Sequence, residues 1–191
     1  MQLTGLIAAP HTPFNNDFSL NLDCVPEQAA HLMATGVKGV FVAGTTGESL
    51  SLTTTERIDL FHVWGEAVKE SGITFIAHIG HNSLPDAQAL VEAAQTAGAG
   101  AIGAMAPTFF KPADAGELVN WFARITEPAS GLPFYFYDIP SMTGVSIDTM
   151  EFVQSARKRI PSFAGVKYTN PDRDQLSAIL ALENHSPDML W

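Results

Sequence analysis

The 191-residue chain predicts an α/β fold of the (β/α)8 TIM-barrel type, reduced to about six βα units and the start of a seventh strand. Three observations lead there. Short β-type runs alternate with longer helical patterns from end to end, without a low-complexity segment or a Gly/Ser linker, so residues 1–191 read as one partial barrel domain. The strands are near-continuous apolar runs rather than alternating ones, the pattern of a parallel sheet covered by helices. Polar residues fall at the C-terminal ends of several different strands, which is the active face of a barrel. A doubly wound open sheet is the competing arrangement, but neither G-x-G-x-x-G after the first strand nor G-x-x-x-x-G-K-[ST] is present.

Taken in order, the predicted strands are Gly5 to Ala9, Gly39 to Ala43, Thr74 to Ile79, Ala101 to Ala106, Pro133 to Tyr137 and Phe163 to Tyr168, with a seventh starting near Met189. Helical patterns separate them at Val25 to Thr35, Thr54 to Glu70, Pro85 to Ala97, Ala115 to Glu127, Asp148 to Arg159 and Arg173 to Glu183. Thr53 followed by Glu56 has capping-box spacing, and Ser83 precedes Pro85 and Asp86 as an N-cap. Gly36, Gly72 and Gly98 each follow a helical run where a left-handed residue turns the chain toward the next strand. A full barrel takes about 250 residues, so the chain reads as a fragment, a truncated gene model or a short isoform.

Composition excludes several function classes. A formal net charge of −10 leaves no basic stripe for phosphates, so neither nucleic acid nor an anionic membrane surface is an expected partner. No run approaches the roughly 18 apolar residues of a membrane span. The N-terminus lacks the basic region of a signal peptide. The single cysteine, Cys24, rules out an intrachain disulfide framework and reads as a small buried apolar residue. A cytoplasmic location is the expectation.

Three segments carry chemistry. In Ala164-Gly165-Val166-Lys167-Tyr168-Thr169, period-2 alternation puts Gly165, Lys167 and Thr169 on one face. If that face is the barrel interior, burial favours the neutral amine needed to attack a ketone, and Lys167 is a candidate imine-forming nucleophile. Tyr137, at the end of the adjacent aromatic strand, can carry a proton to and from a bound carbonyl or hydroxyl, whereas Tyr135 reads as core. Gly44-Thr45-Thr46-Gly47-Glu48 follows the second strand; two glycines and two hydroxyls suit a turn that holds a small carboxylate. Of six histidines, His78 and His81 stand three apart across a strand end, but no metal site is expected. Met105, Phe109 and Phe110 are expected to line the barrel mouth or a subunit contact, and no cofactor motif emerges.

These segments, in this order and spacing, resemble the N-acetylneuraminate lyase and dihydrodipicolinate synthase superfamily of class I aldolases, and the likeness runs from Leu3-Thr4-Gly5 to Gly165-Val166-Lys167. The resemblance implies that Lys167 forms a Schiff base with pyruvate, that Tyr137 is the proton relay, and that Thr45 and Thr46 hold the pyruvate carboxylate. It also implies a homotetramer without cofactor. Within the superfamily, Ile139-Pro140-Ser141-Met142-Thr143-Gly144-Val145 and Lys167-Tyr168-Thr169 look like the sialic acid lyases, with Thr169 touching the sugar-derived part of the substrate. The synthases carry a second tyrosine where this chain reads Pro107-Thr108-Phe109-Phe110-Lys111-Pro112. The lyases read the sugar partly with a Gly-x-Asp-Glu segment after the seventh strand, and the sequence ends at Trp191, before the corresponding position. The expected activity is cleavage of N-acetylneuraminate to N-acetylmannosamine and pyruvate. Another pyruvate-dependent aldolase or dehydratase, or a non-catalytic fragment, stays open.

Overall fold

The computed structural model describes residues 3–183. Six parallel strands run in sequence order, β1 (Ile7–Ala8), β2 (Gly39–Val42), β3 (Thr74–His78), β4 (Ala101–Met105), β5 (Phe134–Asp138) and β6 (Phe163–Tyr168), each hydrogen-bonded to its neighbours in the chain. Between them lie α1 (Val25–Ala34), α2 (Thr54–Val68), α3 (Leu84–Thr96), α4 (Ala115–Thr126), a four-residue α5 (Pro140–Thr143) and α6 (Thr149–Arg159), with α7 (Arg173–Glu183) after β6. This is part of a TIM barrel, as the alternating pattern predicts. The strand expected from Met189 lies outside the described residues.

The helix signals act as their chemistry requires. The Thr53 hydroxyl accepts from the Glu56 amide at 3.2 Å while the Glu56 carboxylate accepts from the Thr53 amide at 2.8 Å, a complete capping box on α2. Gly36, Gly72 and Gly98 have φ of +80°, +79° and +78° and turn the chain out of α1, α2 and α3. Three details differ from expectation. β1 is shorter than predicted, because Gly5 at φ +83° bends the chain and Leu6 is exposed. α5 was hidden by Pro140, which a helix tolerates in its first turn. Cys24 is half-buried in the 3-10 turn ahead of α1 rather than sealed in the core.

Alternation along the strands builds two apolar layers. Outward residues meet the helices: Phe134 and Phe136 of β5 pack on Phe122 of α4 with ring centroids 5.0 and 5.6 Å apart, and Phe136 packs on Phe152 of α6 at 4.4 Å. Burying a side chain of this size is worth about 2–3 kcal/mol relative to exposure. Inward residues form a second cluster of Phe41, Ile76, Ala101, Met105, Tyr135 and Tyr137 on the concave face. Register aligns that face in rows, with His78 beside Gly103, Gly103 beside Tyr135, and Tyr135 beside Gly165. One row higher, Met105 is beside Tyr137 and Tyr137 beside Lys167.

Candidate active site

The upper row of the concave face is where the chemistry-bearing residues meet. A register shift between Phe134 and Tyr135 takes up one extra residue of β6, so that Tyr137 and Lys167 pair on the same inward face. The Lys167 ammonium sits 3.7 Å from the centroid of the Tyr137 ring and 5.7 Å from that of Phe41, distances at which a ring face attracts a cation. Its Nζ donates to the Thr169 hydroxyl at 3.4 Å. Lys167 is half-buried rather than fully enclosed.

The turn after β2 reaches the same point. The Thr45 hydroxyl donates to the Tyr137 phenol oxygen at 3.4 Å. The glycines of this turn work differently from the expectation. The left-handed positions are Ala43 (φ +54°) and Glu48 (φ +58°), while Gly44 and Gly47 matter because they lack a side chain. A Cβ on Gly44 would stand 2.6 Å from the Phe41 ring, and one on Gly47 3.1 Å from the Ala43 backbone. The Thr12 hydroxyl donates to the Gly47 carbonyl at 2.7 Å and ties the turn to the segment after β1. Thr46 is exposed and its side chain does not join the Lys167, Tyr137, Thr45 cluster. Thr45, Met105 and Met142 of α5 are among the residues that line a cleft of about 210 Å³.

Other expectations fall out as follows. Tyr135 is sealed in the inner cluster, and Met105 faces the site in register with Tyr137. Phe109 and Phe110 are exposed and pack edge-to-face on each other at 4.9 Å. His78 and His81 do not converge: His78 Nδ1 faces Ser49, and His81 Nδ1 accepts from the Ser83 amide. Among the described residues no group of three or more His, Cys, Asp or Glu side chains could hold a metal ion.

Two supporting groups escaped the sequence reading. Asp138, at the end of β5, is buried and accepts from the Thr149 hydroxyl at 2.8 Å and the Asn170 amide at 3.2 Å. Burial pushes its carboxyl up, against those two hydrogen bonds. Its carbonyl accepts from the Thr169 amide, so one residue fixes the loop that carries Thr169. The signal available was an acidic residue directly after four aromatics on a strand. The second group, Arg57 with His78 and Ser49, had no such signal, since Arg57 sits in an ordinary helical pattern.

Compared with known proteins, residues 2–191 match the family model described as the dihydrodipicolinate synthetase family. The chain belongs to that family. A curated relative, the N-acetylneuraminate lyase of Gallus gallus, is 40% identical over 172 residues, which cover 90% of this chain and 56% of the relative. The Proteus mirabilis N-acetylneuraminate lyase superposes with a TM-score of 0.94 at 36% identity, covering 100% of this chain and 63% of that one. A DHDPS from Cyanidioschyzon merolae with lysine bound superposes at 0.89 with 29% identity, over 97% and 62% of the two chains. This member of the family thus spans little more than half the length of the curated relatives it matches. Among its described residues no helix is long and apolar enough to cross a membrane.

Proposed function

We propose that the chain carries the pyruvate half of a class I aldolase site, and that the protein cleaves N-acetylneuraminate to N-acetylmannosamine and pyruvate. The observation that carries this reading is the unbroken contact from Lys167 over the Tyr137 ring to the Thr45 hydroxyl, drawn from three separate βα units. In the forward direction the Lys167 amine attacks the keto carbon, water leaves, and the protonated imine draws electrons from the breaking carbon-carbon bond. Tyr137 takes the proton from the substrate hydroxyl as the aldehyde departs, and returns a proton on the way to free pyruvate. Thr45 holds the phenol in line, and Thr46 with the turn amides takes the carboxylate when substrate is bound. Thr169, beside Lys167 and exposed, is assigned to the sugar-derived part. One partial barrel domain, assembly as a homotetramer and a cytoplasmic location belong to the same reading.

Incubation with pyruvate, reduction with borohydride and peptide mass analysis tests it. The expected result is a reduced pyruvyl adduct on Lys167, absent in Lys167→Ala. Wild-type protein without an adduct would sink the reading. A second reading keeps the imine and changes the partner substrate, and what favours it is the similar superposition of a DHDPS. Release of N-acetylmannosamine from N-acetylneuraminate separates the two.

A further inference from the structure

Arg57 on α2 is fully buried, and the chemistry proposed above gives it no task. A buried cation ordinarily pairs with a carboxylate, yet among the described residues Arg57 forms no ion pair. Burial alone lowers its guanidinium to about 9. Its partners are neutral: Nη1 donates to the Gly80 carbonyl at 2.9 Å, Nη2 donates to the His78 carbonyl, and Nη2 lies 3.3 Å from His78 Nδ1.

The direction of these bonds fixes the imidazole. A guanidinium only donates, so Nδ1 accepts. The Ser49 hydroxyl, 2.9 Å from the same nitrogen, donates to it as well. The ring proton is therefore assigned to Nε2, against the Met105 amide, which also points at Nε2 from 3.4 Å. Burial, then the Arg57 charge, hold His78 well below the usual imidazole range, so the ring stays neutral.

Both ends of this chain of contacts reach the site. Ser49 closes the turn after β2, its amide donating to the Gly44 carbonyl at 3.2 Å, while the Glu48 amide donates to Thr45 at 3.1 Å. The His78 ring stands edge-on to Tyr137, with centroids 6.3 Å apart and planes at 90°, and edge-on to Phe41 at 5.7 Å. We infer that Arg57, His78 and Ser49 form a positioning relay that locks the Gly44 to Ser49 turn in the shape that binds the carboxylate of a 2-keto acid. The inference rests on the functional reading above for its ligand. It stands on its own geometry for the lock.

Borohydride trapping on the full chain across a pyruvate titration measures the half-saturating concentration and the maximal trapping rate separately. Ser49→Ala removes the hydroxyl between turn and ring, and His78→Leu removes the acceptor. Each is expected to raise half-saturation roughly tenfold while the maximal rate falls less than about threefold, the effect of one lost buried hydrogen bond. His78→Asn, which keeps an acceptor near the Nδ1 position, is expected to recover half-saturation to within about threefold of wild type. A general loss of packing would not be rescued this way. Hydrogen exchange of the Gly47 and Ser49 amides without pyruvate gives a second readout, expected to quicken in Ser49→Ala even if His78→Leu fails to fold. Wild-type half-saturation in Ser49→Ala, no rescue by His78→Asn, or unchanged exchange at the turn would each overturn the relay. If wild-type protein traps no pyruvate, the functional reading falls, and the exchange measurement alone decides the lock.

Discussion

Tyr137→Phe isolates the hydroxyl from everything else the side chain does. The ring that lies under Lys167 at 3.7 Å and edge-on to Phe41 at 5.6 Å stays; only the group that meets Thr45 goes. Imine formation at Lys167 should therefore persist while proton transfer slows. Pyruvate methyl hydrogen exchange in D2O, followed by NMR, reports the enamine and is expected to fall by about 10²-fold or more, with little change in thermal midpoint. An unchanged exchange rate would remove the relay role from Tyr137. The residues that sequence could identify were those whose chemistry departs from their surroundings: a lysine on an apolar strand, a phenol at a strand end, paired hydroxyls in a glycine turn. Ser49, Arg57 and His78 stayed hidden because each residue type is ordinary where it stands. Their meaning comes from one buried meeting point of β3, α2 and the turn after β2, which no local pattern encodes. The glycines of that turn were found for an incomplete reason, since what excludes a Cβ is the Phe41 ring at Gly44 and the Ala43 backbone at Gly47, close approaches that no local backbone preference encodes.

At the scale of elements, what sequence conveyed was what local physics decides. Caps, glycine stops and apolar runs set all six strands to within two residues, and every helix of more than one turn. The register shift in β6 and the short α5 were not legible, because one depends on the β5 neighbour and the other on a single turn after a proline. The junction of β5, β6 and α6 depends on Asp138, whose carboxylate spans the Thr149 hydroxyl at the start of α6 and Asn170 after β6. Burial raises this carboxyl above its ordinary 3.8. The unfolded chain therefore ionises first as pH rises. The stability Asp138 contributes is fully present below about 3.8 and is lost as pH rises through the folded-state value. Asp138→Asn keeps an acceptor for Thr149 without the charge. Urea midpoints of variant and wild type should converge toward wild type, or fall below it, near pH 4 and shift in favour of Asp138→Asn at pH 7. A difference independent of pH would mean the carboxylate is not what titrates.

The molecule as a whole divides its apolar residues between two jobs. The outer layer, where Phe122 meets Phe134, Phe136 and Phe152, joins sheet to helices. The concave layer is built from the same strands but holds Tyr137, Phe41 and Met105 under the site. Since β2 to β5 each contribute side chains to both layers, the two layers are expected to melt together. Phe122→Ala should remove about 3–5 kcal/mol, the cost of deleting a fully buried ring. Trp64 on α2 and Trp121 on α4 report from different units of the sheet's helical coat. Fluorescence and far-UV circular dichroism are thus expected to give coincident urea transitions in wild type and variant, both shifted down together. Half-saturation by pyruvate, measured in native buffer on the folded fraction, should stay at the wild-type value because the concave layer is intact. Separate transitions for the two probes would show that the βα units unfold independently, and that the outer layer stabilises only the part of the sheet it touches.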